Sequence, residues 1–85
     1  MKEINLTKIP DRDIFIKITK YLENNKNIIF YNKFEGLDEI YWDFKYNDNY
    51  YSLRLSQYFG ITIYTDDYNS NKIINKLFKY IKKIK

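Results

Sequence analysis

Between Ile40 and Thr65 the sequence IYWDFKYNDNYYSLRLSQYFGITIYT alternates apolar and polar residues through three successive runs. A period of two belongs to a strand and cannot be met by a helix. In the first run Ile40, Trp42, Phe44 and Tyr46 share one face, while Tyr41, Asp43, Lys45 and Asn47 share the other. Asn47, Asp48 and Asn49 supply a turn, because Asn and Asp tolerate left-handed backbone and bond their own main chain. The return run sets Tyr51, Leu53 and Leu55 against Tyr50, Ser52, Arg54 and Ser56. Gly60 opens a third run, with Ile61 and Ile63 inward and Thr62 and Tyr64 outward. The pattern predicts three consecutive antiparallel strands in a sheet with one buried and one wet face.

The remaining segments supply what covers the buried face. Glu3 to Lys8 alternates, with Ile4, Leu6 and Lys8 against Glu3, Asn5 and Thr7, and predicts a short strand at a sheet edge. Ile9-Pro10-Asp11 ends it, and Asp11 is placed to cap a helix. Ile14, Phe15, Ile18, Tyr21 and Leu22 then form one apolar helical stripe, with Asn24-Asn25 as its stop. Asn27 to Phe34 predicts a second strand. There Ile28, Phe30 and Phe34 share a face and Ile29, Tyr31 and Lys33 the other, an apolar content on both sides that suits a central strand. A loop from Glu35 to Glu39 leads into the meander, and a polar loop from Asp66 to Ser70 leaves it. In the last helix Ile73, Ile74, Leu77, Phe78, Ile81 and Ile84 face inward and Lys72, Lys76, Lys79 and Lys83 outward. The expected fold is a single α+β domain over residues 1–85, in the order β-α-β-β-β-β-α. It has two layers: a mostly antiparallel sheet of about five strands, with both helices on one face.

Eighty-five residues with no cysteine must hold together by core packing alone, and ten Tyr, six Phe and one Trp suit that. Trp42 falls in the inward register with Phe44 and belongs to the core. The net charge of +4 is unevenly placed. Residues 72–85 carry six lysines and no acid, whereas residues 1–68 carry nine bases and eleven acids. Thirteen Lys against two Arg, with fourteen Ile, ten Asn and no Ala or Val, is also the usage of an AT-rich coding sequence. The N-terminal MKEINLTK lacks the apolar segment of a signal peptide, and the longest apolar run, Ile28–Tyr31, is too short to span a bilayer, so a cytoplasmic location is expected.

Catalytic chemistry finds little to work with. Neither His nor Cys is present, which removes soft metal sites and the usual base for a serine or threonine nucleophile. Asp67-x-Asn69-x-Asn71 begins like a calcium loop. It has Lys72 where that loop needs glycine and Phe78 where it needs glutamate. The two glycines form no phosphate-binding loop. A non-enzyme without cofactor or metal is expected.

Two binding readings remain. The lysine stripe of Lys72, Lys76, Lys79 and Lys83 could meet phosphates, as an accessory nucleic-acid-binding protein would. Alternatively the wet sheet face carries Tyr41, Tyr50, Tyr64 and Arg54, a residue mix enriched at protein–protein hot spots. Beside it Glu35, Asp38, Glu39 and Asp43 could meet a basic partner. An exposed edge or the tyrosine face could equally pair two copies into a homodimer.

The stretch W-D-F-K-Y-N-D-N-Y-Y-S-L-R-L, Trp42 to Leu55, followed by G-I-T-I-Y and a terminal amphipathic helix, resembles small immunity proteins of bacterial toxin–immunity systems, including contact-dependent inhibition. The likeness covers about half the chain and rests on texture, not on a motif. It implies an inhibitor that covers the active site of a cognate toxin domain. In such an antitoxin role the acidic loop, with Asp66 and Asp67, would imitate a nucleic-acid substrate. The net positive charge departs from the strongly acidic pattern of some nuclease inhibitors and leaves the toxin's class open. The expected partner-binding set is Glu35, Asp38, Glu39, Tyr41, Asp43, Tyr50, Arg54, Tyr64, Asp66 and Asp67.

Overall fold

Two consecutive left-handed residues, Asn47 (φ 48°) and Asp48 (φ 68°), turn the chain back at the middle of the meander. Such a turn follows the right-handed twist of the strands it joins. It fixes the register, so that Tyr46 lies opposite Asn49 and Phe44 opposite Tyr51. The structure, a computed structural model, describes residues 2–67, 69 and 71–84. Its elements are β1 (Lys2–Thr7), α1 (Arg12–Glu23), β2 (Ile28–Glu35), β3 (Glu39–Tyr46), β4 (Asn49–Ser56), β5 (Gly60–Thr65) and α2 (Asn71–Ile84). Tyr68 and Ser70 of the expected polar loop, and Lys85 of the basic stretch, lie outside the described residues.

All pairings are antiparallel and the sheet order is β1-β5-β4-β3-β2. The chain starts at one edge, α1 carries it to the far edge, and the meander returns strand by strand until β5 meets β1. The architecture is the α+β arrangement and element order that the alternation predicts.

Both helices cover the same face. Asp11, in extended conformation, caps α1 by accepting from the Asp13 and Ile14 N–H groups at 2.8 and 3.3 Å. Phe15, Ile18 and Leu22 of α1 and Ile73, Ile74, Leu77 and Ile81 of α2 pack with Phe44, Leu53, Ile61 and Ile63 of the sheet in one core. Each of these large side chains contributes roughly 1.5–3 kcal/mol on burial, before conformational entropy is subtracted. Trp42 packs on this core through an edge contact with Phe15 at 6.3 Å. Among the described residues no helix is long and apolar enough to cross a membrane.

Three local expectations are corrected. First, β2 is an edge strand, not a central one. Second, a bulge at Tyr31 shifts its register between Phe30 and Asn32. One extra residue reverses the in–out sense of all that follows. Ile28 and Phe30 therefore face the helices, but Lys33, opposite Trp42, takes the inner side and Phe34, opposite Tyr41, the open side. Lys33 tolerates this because its ammonium lies 4.1 Å from the Trp42 ring centre. Third, Phe78 is exposed. It stands about 100° round the helix from Leu77, and Tyr80 takes the inner flank instead by stacking on Tyr21 at 4.3 Å.

A second register shift, between Asn5 and Thr7, leaves neighbouring Leu6 and Thr7 both buried. The strand stops there and Lys8 is exposed, so the alternation does not reach it. The same shift brings the Thr7 carbonyl against the backbone of Gly60, whose φ is +81°. A side chain at position 60 has no room, which explains a glycine at the start of β5.

Candidate protein-binding face

The face without helices is built from the outward positions of every strand, and its centre is a row of side chains that crosses all five. Phe34 of β2 stacks on Tyr41 of β3 with ring centroids 5.0 Å apart. Tyr41 lies directly opposite Arg54 of β4, whose guanidinium carbon is 5.0 Å from its ring centre. The same guanidinium is 4.7 Å from the Tyr64 ring of β5, and the Tyr64 hydroxyl donates to Glu3 of β1 at 3.5 Å. Arg54 is oriented by an ion pair with Glu39 at 3.5 Å and by donating from Nε to the Ser52 hydroxyl at 3.1 Å. At ~4.8 Å per strand the row is about 19 Å long.

Beside the row, towards the Asn47–Asp48 turn, lies a cleft of about 150 Å³ lined by residues that include Tyr31, Asp43, Tyr50, Arg54, Tyr64 and Asp66. The Tyr31 and Tyr50 rings meet edge to face at 5.9 Å and 86°. Asn32 donates its side-chain amide to Asp43 Oδ2 at 3.0 Å. Burial raises the Tyr31 phenol above its ordinary pKa, helped by the Asp43 charge and by Tyr50. Burial likewise raises Tyr64, helped by Glu3 and partly opposed by Arg54. Phenols held in this way stay protonated at neutral pH, so they offer hydrogen bonds and ring faces, not proton transfer.

The expected binding residues separate into three groups. Glu39, Tyr41, Arg54 and Tyr64 join the central row, and Asp43, Tyr50 and Asp66 line the cleft. Glu35 and Asp38 sit at the far end of the sheet, where Glu35 pairs with Arg12 at 3.7 Å and the Asp38 carbonyl accepts from the Gln57 N–H. Asp67 belongs to none of the three. Its carboxylate accepts from the Tyr51 hydroxyl at 2.7 Å, and Tyr51 is buried on the helix side. The Glu35–Glu39 loop and Asp66 are therefore about 20 Å apart along the strands, at ~3.3 Å per residue. They do not form one acidic patch.

The sequence pattern missed several exposed apolar groups. Tyr31 and Phe34 extend the open face at 56% and 46% exposure, and at the Glu35–Glu39 end Leu37 (97%), Tyr58 (75%) and Phe59 (72%) stand clear of the core. The last two had a signal: a turn normally carries small or polar residues, and Tyr58-Phe59 in the β4–β5 turn breaks that rule.

On the opposite side of the molecule Lys72, Lys76, Lys79 and Lys83 of α2, with Lys82, are exposed. Among the described residues none of them forms an ion pair. A cleft of about 390 Å³ between the end of α1 and α2 is lined by Tyr21, Leu22, Asn24, Asn25, Ile73 and Lys76, with no carboxylate to act with the lysine. No family model, curated protein or solved structure is significantly similar to this chain.

Proposed function

We propose that this chain is a non-catalytic protein-binding domain that docks its helix-free sheet face on a dedicated partner. Its role is that of a cytoplasmic immunity protein neutralising a bacterial toxin domain. The observation that carries the docking face is the row Phe34, Tyr41, Arg54, Tyr64, which holds an arginine between aromatic rings over four adjacent strands. Aromatic residues and arginine dominate hot spots, the rings because they bury much area for little lost freedom and arginine because its guanidinium both stacks and forms several hydrogen bonds. The toxin-inhibitor role is supported by the resemblance of Trp42–Leu55 and the segments that follow to small immunity proteins.

Affinity capture of the tagged protein from its own cells tests this, with nuclease treatment and a salt-gradient wash. The expected result is one stoichiometric protein that survives both, is lost when Tyr41, Arg54 and Tyr64 are replaced by alanine, and is toxic when produced alone. Recovery of nothing but a second copy of this chain would defeat the proposal.

A second reading has one specific observation behind it. Five lysines of α2 have no acidic partner among the described residues, a stripe that suits phosphates. Binding of nucleic acid that weakens steeply with salt and disappears on reversing Lys72, Lys76, Lys79 and Lys83 would favour it.

A further inference from the structure

We infer that the cleft bounded by Tyr31, Tyr50 and Tyr64 is a socket for one basic side chain, lysine or arginine, of the docked protein partner. This rests on the proposed docking face and names the chemistry of its central contact. Size sets the class of occupant. At about 150 Å³ the cleft is well below the ~300–1,000 Å³ of small-molecule sites and suits a single side chain.

The walls set the charge of that occupant. Tyr31 and Tyr50 meet at 86°, so their rings form two sides of a corner, and the negative faces of aromatic rings attract cations. Asp43 stands in the same cleft with Oδ2 held by Asn32, while its Oδ1 has no hydrogen-bond partner among the described residues. Burial first, then the Asp43 charge, raises the Tyr31 phenol, so the cleft disfavours a second negative charge. The protein's own nearby cations are already engaged. Arg54 pairs with Glu39 at 3.5 Å, and Lys45, whose ammonium is 5.9 Å from the Tyr50 ring centre, pairs with Asp48 at 3.4 Å. An incoming ammonium or guanidinium thus meets the Asp43 carboxylate, while the one guanidinium in the lining is already paired with Glu39.

The test titrates the free protein with n-butylammonium and n-butylguanidinium at constant ionic strength, with n-butanol and butyrate as controls. Ring and backbone NMR shifts of Tyr31, Tyr50 and Asp43 are followed. Saturable shifts with both cations and none with either control are expected. Asp43→Asn, which preserves size and the acceptor for Asn32, should weaken the cations about fivefold, and Tyr31→Leu should do the same while Tyr31→Phe keeps the response. Absence of saturation, an equal response to butanol, or indifference to both Asp43→Asn and Tyr31→Leu would overturn the socket. If capture of a partner depends on Tyr41 and Arg54 while the cations ignore the cleft, the socket alone falls. If the cations bind but no partner is captured, the docking reading falls and the socket with it.

Discussion

The guanidinium of Arg54 lies 5.0 Å from the centre of the Tyr41 ring, its direct cross-strand neighbour at the middle of the helix-free face. The pair joins two strands without closing off the outer surface of either group, which is what a contact site needs. Arg54→Ala is expected to cost roughly 2 kcal/mol or more in partner affinity. It should lower stability by only about 0.5–1 kcal/mol, because the half-exposed Arg54–Glu39 pair contributes little and the main loss is the contact with the Tyr41 and Tyr64 rings. Arg54→Lys should restore only a small part, since an ammonium cannot lie flat against two rings. Titration calorimetry with the captured partner and thermal melts of the free variants measure the two effects separately.

Gly60 and Gly36 should respond differently to alanine. At Gly60 the backbone is left-handed (φ +81°) and the Thr7 carbonyl occupies the space of a Cβ. Gly60→Ala is expected to destabilise by more than about 2 kcal/mol. At Gly36 the nearest obstacle is the Phe34 ring edge at 2.8 Å, a side chain that can swing aside. Gly36→Ala should cost less than about 1 kcal/mol. Urea unfolding of the two variants, side by side, gives the ranking.

Tyr51 should make stability fall at high pH. Burial first, then its hydrogen bond to Asp67, raises the phenol well above its ordinary value of 10.0. The folded state therefore keeps this proton when the unfolded chain has lost it. The contribution is complete below pH 10 and declines as pH rises above it towards the higher folded value. Tyr51→Phe loses the hydrogen bond, costing about 1 kcal/mol near neutrality, but it has no proton to lose. The stability gap between wild type and variant should narrow between pH 9 and pH 11, as measured by denaturant unfolding at each pH.

Lys33→Ala should lower stability by about 0.5–1 kcal/mol through loss of the ammonium over the Trp42 ring. Trp42 is the only tryptophan, so its emission reports the change directly. A shift in emission with Lys33→Ala, and none with Lys26→Ala on the exposed α1–β2 connection, is the expected pattern.

What the sequence disclosed and what it hid follow from the range of the interactions. Strands β3, β4 and β5 were legible because a period of two needs only neighbours along the chain, and Asn47-Asp48 marked their turn. The sides of Lys33 and Phe34 were not legible. A bulge at Tyr31 depends on how β2 meets β3, and nothing local in YNKF announces the extra residue. Phe78 and Tyr80 competed for the flank of one helical stripe, and the winner was set by Tyr21 on another helix. Strand parity alone put Tyr41, Arg54 and Tyr64 on the helix-free face, where the structure has them. Glu35 and Asp38 were grouped with Asp66 by charge, although the length of β3 separates them, and the contact between Tyr51 and Asp67 joins residues on separate elements.

The measurement that tests the central claim most directly is partner capture with two surface variants compared in parallel. One carries alanine at Tyr41, Arg54 and Tyr64; the other carries glutamate at Lys72, Lys76, Lys79 and Lys83. With both variants folded, the account predicts that a single protein partner is lost by the first and kept by the second. A partner kept by the first and lost by the second would contradict it and move the function to α2.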